Sequence, residues 1–257
     1  MPKKNRQKIA KTLAWTGAAV LAGLLLLSAT RTKSGSKVAY TDIYIQALLE
    51  GEYLVNEEDV QRTIAAAFED TLGGKPIETV DVAKLERVLT RDPFLRTAEV
   101  HLNSQNVLEI KLTQREPVLR VMDASGLNYY LDEFGTRMPT SPRHTARVLV
   151  ATGELPPHDP DFLEDEDDML AQTFRLAEHI RRDELWRSLF EQIDVKNGRF
   201  TLVPKVGDQT VLFGKLDDVE DKFARLRAFY EKGMGEAGWR KFAAIDLRYE
   251  GQVIGRR

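Results

Sequence analysis

The chain has 257 residues, 42% of them hydrophobic and 30% charged, with a formal net charge of −3 and no cysteine. That length and apolar content provide for one or two domains with buried cores. A near-neutral balance with no Lys/Arg stripe after Lys37 argues against nucleic acid as a partner, and the lack of cysteine removes thiolate zinc sites, thiol catalysis and disulfides.

From Thr12 to Thr30 no residue is charged, and the run Leu24-Leu25-Leu26-Leu27 sits in a stretch that is apolar all round. As a helix it would span about 28 Å, close to a hydrocarbon core of about 30 Å. Lys3, Lys4, Arg6, Lys8 and Lys11 precede it, whereas Arg31, Lys33 and Lys37 follow it, so the positive-inside bias orients the N-terminus to the cytoplasm. The expected plan is a cytoplasmic tail over 1–11, a single transmembrane helix over 12–30 and a Ser/Gly/Lys linker over 31–37, with the rest outside the cytoplasm. A cleaved signal peptide is the alternative, but its apolar region is usually about 7–15 residues, and Leu27-Ser28-Ala29 puts Leu at the −3 position. A buried core helix would need five cations solvated right beside it.

Ordered pattern begins at Val38. Tyr40, Asp42 and Tyr44 alternate with Ile43 and Ile45 as in a strand. Asn56 is a candidate N-cap with Asp59 at N3, and Val60, Ile64 and Phe68 mark one helical face that Gly73-Gly74-Lys75-Pro76 terminates. Asp81 can cap a second helix burying Val82, Leu85 and Leu89, stopped by Asp92-Pro93. Ala98, Val100 and Leu102, then Leu108, Ile110 and Leu112, alternate across the polar turn Asn103 to Asn106 as a hairpin. Residues 38–114 therefore read as a β-α-α-β-β module with two helices on one face of a small sheet.

Residues 115–257 read as a C-terminal antiparallel sheet with flanking helices, making the whole α+β. Asn197-Gly198 joins two strands as a tight hairpin, and Gly207-Asp208 joins the next pair. Leu170, Phe174, Ala177 and Ile180 have helical spacing, as do Val219, Phe223, Leu226 and Tyr230. From Ala243 to Arg248, Ile245 and Leu247 are expected to face a core while Asp246 and Arg248 face out. Val253-Ile254 forms a last short strand after the turn at Glu250-Gly251, expected at a sheet edge.

No catalytic pattern emerges. Gly233-Met234-Gly235-Glu236-Ala237-Gly238 matches G-x-G-x-x-G, but a helix precedes it and a strand follows, the reverse of a dinucleotide fingerprint. His101, His144, His158 and His179 lie far apart in the sequence without a metal or nucleophile spacing. The acidic run from Asp159 to Asp168 has Glu164 where a calcium loop needs Gly, so a solvated loop and helix N-terminus is the better reading. The residues name no cofactor, metal or small-molecule substrate, and no nucleophile or base. Distant carboxylates converging in space would be needed for an anchored enzyme.

The pattern ending in Pro93-Phe94, then Val100-His101-Leu102 through Leu108-Glu109-Ile110-Lys111-Leu112 into Arg115-Glu116-Pro117-Val118, resembles a POTRA domain. Tyr130-Leu131-Asp132-Glu133-Phe134-Gly135, Phe213-Gly214-Lys215 and Ile245-Asp246-Leu247-Arg248-Tyr249 are similar to successive segments of the bacterial FtsQ/DivIB cell-division family. That resemblance implies a non-catalytic scaffold of the divisome in the inner membrane at the midcell septum, with both domains periplasmic. It implies that this scaffold links early and late division proteins and holds FtsB and FtsL as partners. The family places FtsB capture at the C-terminal strand, which carries the role to Tyr249, Gly251 and Val253; Arg256 stands where the family often has an aromatic residue and would call for a partner of complementary charge. Tyr249 as a packing residue of the last strand is the plainer alternative. POTRA modules also serve outer-membrane translocators, but those need many barrel strands that 257 residues with an N-terminal anchor do not provide.

Overall fold

The computed structural model describes residues 36–49, 51–123, 126–141, 145–207, 209–233 and 242–257. The expected tail, the transmembrane helix over 12–30 and most of the linker lie outside these residues. Among the described residues no helix is long and apolar enough to cross a membrane. Two units result: Ser36 to Gln46 together with Val55–Gln114, and Ala47–Leu54 together with Arg115–Arg257.

In the first unit the chain runs β1 (Thr41–Gln46), α1 (Glu57–Phe68), α2 (Val82–Leu89), β2 (Leu95–Leu102) and β3 (Leu108–Gln114). Alternation makes β1, with Asp42 and Tyr44 exposed and Ile43 and Ile45 packed towards the core. A reciprocal capping box starts α1: Asn56 Oδ1 accepts from the Asp59 N–H at 2.9 Å, and Asp59 Oδ2 accepts from the Asn56 N–H at 3.2 Å. Asp81 starts α2 by accepting from the Lys84 N–H at 2.8 Å. The first helix stops at Glu69, in a left-handed conformation with φ 59°, before Gly73-Gly74 is reached. The sheet order is β1-β3-β2, with β1 parallel to β3 (Ile43 opposite Ile110) and β2 antiparallel to it (Val100 opposite Ile110). A parallel pair needs a long crossover, and the two helices supply it. Their apolar faces, Val60, Ile64, Leu85 and Leu89, close on Val100, Leu108, Ile110 and Leu112 in one core. The Glu86 side chain adds a tie by accepting from the Val100 N–H at 3.0 Å.

The second unit contains β4 (Pro117–Asp123), β5 (Asn128–Asp132), β6 (Arg137–Pro139), β7 (Leu149–Gly153), α3 (Met169–Arg182), α4 (Glu184–Leu189), β8 (Phe190–Lys196), β9 (Arg199–Pro204), β10 (Thr210–Gly214), α5 (Val219–Ala228), β11 (Ala244–Asp246) and β12 (Ile254–Arg256). The strands form one sheet in the order β12-β11-β10-β9-β8-β7-β4-β5-β6. The expected antiparallel sheet is corrected here: β4 with β7, β7 with β8, and β10 with β11 are parallel. Each parallel neighbour follows from a long connection. The segment carrying α3 and α4 leads from β7 to β8, and the one carrying α5 leads from β10 to β11. Hairpins remain where turn chemistry demands them, as at Asn197-Gly198, where φ is 51° and 65° and the turn is of the primed kind that matches strand twist.

Asp168 caps α3 through the Ala171 N–H at 2.9 Å, and Leu170, Phe174, Ala177 and Ile180 are buried along that helix as their spacing predicts. They join Leu119, Val121, Ile193, Val195, Leu202, Phe213, Phe223 and Leu226 in a single core. Helix α5 relaxes into a π-helical turn over Phe229–Gly233, so Tyr230 is only partly buried while Phe223 and Leu226 are buried.

Candidate functional site

The edge of the large sheet is formed by β12, paired antiparallel with β11 so that Ile254 lies opposite Asp246 and Arg256 opposite Ala244. An outer strand leaves backbone N–H and C=O groups on one side without a neighbouring strand. Just before this strand the chain turns through Tyr249-Glu250-Gly251-Gln252, closed by the Gln252 N–H on the Tyr249 carbonyl at 3.3 Å, with Gly251 at φ 65°. Arg225 of α5 fastens the turn: its guanidinium donates to the Tyr249 carbonyl at 3.0 Å and also to the Gln252 carbonyl, while its Nε holds Asp221 at 2.7 Å.

Asp246 lies on the face away from Ile245 and Leu247, as alternation predicts, but it is 0% exposed because the exposed side chains of Arg248 and Arg256 close over it. Its carboxylate survives burial because two guanidinium groups reach it. Arg248 binds in a fork at 2.8 and 2.7 Å, and Arg256 at 2.9 and 2.6 Å. Hydrogen bonds from Arg248 do most to hold the Asp246 carboxyl down to about 2, against the opposing effect of burial; those from Arg256 add to them. The spacing explains the triad: residues two apart on a strand share a face, and Arg256 is the diagonal neighbour of Asp246 across the pair.

Beside Tyr249 lies a groove of about 340 Å³ lined by Arg199, Gly214, Lys215, Asp217, Lys222, Arg248 and Tyr249. Four cations face one carboxylate. Lys222 is 5% exposed and is held by Asp217, by the Lys215 carbonyl at 2.9 Å and by the Phe213 ring at 4.9 Å. That bond also lowers the Asp217 pKa. Gly214 has φ 86°, and a Cβ there would meet the Arg248 side chain at 2.9 Å, so glycine lets the arginine cross the strand end. Among the described residues the corner thus combines a strand edge with no further strand beside it, half-exposed apolar groups at Tyr249 and Ile254, and a positive groove.

A family model described as FtsQ/DivIB, C-terminal related, matches residues 116–256. The chain belongs to the FtsQ/DivIB family. A POTRA-like domain model matches residues 43–113. The chain is also 29% identical over 187 residues to Cell division protein FtsQ of Rhodothermus marinus, covering 70% of this chain and 67% of that relative.

Within this FtsQ/DivIB chain the expected partner-binding residues fall at one corner but in different settings. Tyr249 is 49% exposed in the turn, Gly251 shapes that turn, and Val253 is partly buried against the core. Arg256 is on the edge strand and engaged with Asp246. Sequence reasoning missed the groove cations Arg199, Lys215 and Lys222, which come from three separate strands, loops and helices and leave no periodic signal. It could have found the Asp246 and Arg248 pair from their spacing alone.

The other candidates take structural roles. His101 is exposed, His158 meets the Gly135 carbonyl at 3.0 Å, and His179 stacks on Phe223 at 4.6 Å; His144 lies outside the described residues. In the acidic run, Asp159 and Asp165 accept from the N–H groups two residues on, and Asp168 is a helix cap. Among the described residues no group of three or more His, Asp or Glu is arranged to hold a metal ion. Gly233 ends the π-helical turn, and Met234 to Gly238 lie outside the described residues.

Proposed function

We propose that this protein is a non-catalytic scaffold of the bacterial division machinery, anchored in the inner membrane by residues 12–30. Its N-terminus is cytoplasmic and both folded units are periplasmic at the septum. Its partners are FtsB and FtsL, and capture occurs by addition of a partner strand along β12. The observation that carries this reading is the edge strand with Tyr249 at its turn and a cationic groove beside it. Strand addition supplies main-chain hydrogen bonds, while pockets for side chains supply specificity. With Lys222 and Arg248 engaged by Asp217 and Asp246, Arg199 and Lys215 are the groove cations that suit a strand carrying carboxylates, and Tyr249 offers a large rigid ring of the kind that dominates interfaces.

The decisive measurement is the affinity of the chain for an FtsB peptide. Tyr249→Ala, at a half-exposed side chain, leaves the fold intact and weakens capture by about 2 kcal/mol or more. Unchanged binding by the folded variant moves the interface elsewhere. A fluorescent fusion gathers at midcell if the protein is a division scaffold, whereas a secretion component or an anchored enzyme has no reason to do so. A reporter after Arg257 is active outside the cytoplasm; release of a soluble product cut near Ala29 would contradict the anchor.

A further inference from the structure

A second recess, of about 490 Å³, shares no lining residue with the groove beside Tyr249. All of its walls belong to the second unit: the segment Ala47–Leu54, the start of β4, the approach to β7, the ends of α3, α4 and β8, and Lys205 after β9. Its floor is apolar, made by Leu48, Pro117, Val118, Leu149, Ile180 and Phe190. Recesses of roughly 300–1,000 Å³ with apolar walls and a few placed polar groups are typical binding sites.

The rim is predominantly positive, with Arg147, Arg181, Arg182, Arg187 and Lys205 set against Glu52, Glu116 and Glu191. Several of these charges are already used. Glu116 accepts from the Leu49 N–H at 3.2 Å, Arg181 and Arg182 share Glu178 at 2.9 and 3.6 Å, and Lys205 donates to the Arg187 carbonyl at 3.0 Å. Among the described residues the guanidinium groups of Arg147 and Arg187 have no carboxylate partner, and both residues are exposed. Leu49, also in the wall, is 76% exposed.

We infer that this recess docks an acidic peptide segment of a partner protein, with one bulky apolar side chain in the recess and flanking carboxylates on Arg147 and Arg187. Charge complementarity selects an acidic partner, because the two unpaired guanidinium groups present forks that match carboxylates. Concavity selects a side chain over a bilayer surface, which would be met by a protruding apolar face. This docking site is separate from strand capture at β12 and stands or falls without it.

The test uses the full chain in phosphatidylcholine nanodiscs and three probes. These are a fluorescein-labelled decapeptide of Trp and Leu among glutamates, the same peptide with lysines for glutamates, and soluble dihexanoylphosphatidylglycerol as competitor. The acidic peptide binds saturably and the basic one does not. The double variant R147E/R187E, whose changed side chains are exposed, loses roughly tenfold or more in affinity with an unchanged melting temperature. Leu49→Ser weakens binding by a smaller factor, and Tyr249→Ala leaves it unchanged. The inference is overturned if the acidic peptide fails to saturate or binds the double variant equally well. It is overturned too if Tyr249→Ala abolishes binding, which would assign the peptide to β12. Displacement of the peptide from Arg147 and Arg187 by the anionic lipid at a lower concentration would identify a lipid site instead.

Discussion

Asp246 shows how a single residue organises the candidate site. A buried carboxylate is costly unless paired and hydrogen-bonded, and here Arg248 and Arg256 meet that condition from the same face of two adjacent strands. Its folded-state pKa of about 2 lies below the roughly 3.9 of an unfolded chain, so the native state binds fewer protons between those values. The stabilisation is therefore complete above about pH 5 and is lost as pH falls through about 2. Because the two guanidinium groups are one-third to one-half exposed, screening leaves about 1–2 kcal/mol of it. Asp246→Asn should cost that much at pH 7 and almost nothing at pH 2, as read from urea unfolding at the two pH values. An equal cost at both would mean that packing, and not charge, is what Asp246 contributes.

At the scale of elements, the edge strand is short and depends on what lies beneath it. A Cβ at Gly255 would come within 2.5 Å of the Phe242 ring, and that ring packs on Phe229 at the end of α5. Gly255→Val therefore pushes β12 away from its support, a clash of the overpacking kind that costs about 1–3 kcal/mol. We expect this variant to lower the melting temperature of the second unit and to weaken FtsB-peptide binding together. A variant that loses stability but binds normally would separate β12 from capture. The helices rely on caps in the same local way: replacing Asn56 by Ala removes one half of the capping box and should cost about 1 kcal/mol in denaturant unfolding.

For the whole molecule, two cores without a shared cluster predict two unfolding transitions. Leu85 is 0% exposed between α2 and the small sheet. Leu85→Ala leaves a cavity there and should cost about 2–5 kcal/mol. Trp186 is buried in the second unit, and the first unit has no Trp among its described residues. Circular dichroism should accordingly register an earlier transition in this variant, while the tryptophan fluorescence transition stays in place. A fluorescence transition that moves by the same amount would show that the two units unfold as one.

Local chemistry was legible from residues alone: the Asn56 and Asp81 caps, the Asn197-Gly198 turn, the helical face from Leu170 to Ile180 and the alternation of β1 each rest on neighbours a few positions apart. The order of these elements also carried the family resemblance. Pairing between distant strands was not legible, because whether β7 lies parallel to β4 and β8 depends on where the intervening chain crosses the sheet. Alternation placed Asp246 on the face opposite Ile245 and Leu247, but it could not show that Arg256, from the neighbouring strand, would help to bury it. The groove cations came together only in three dimensions, as did the recess between Arg147 and Arg187. Sequence determined the elements and their order through short-range propensity; tertiary structure decided which charges meet, because long-range contacts bring together residues that have no common period in the chain.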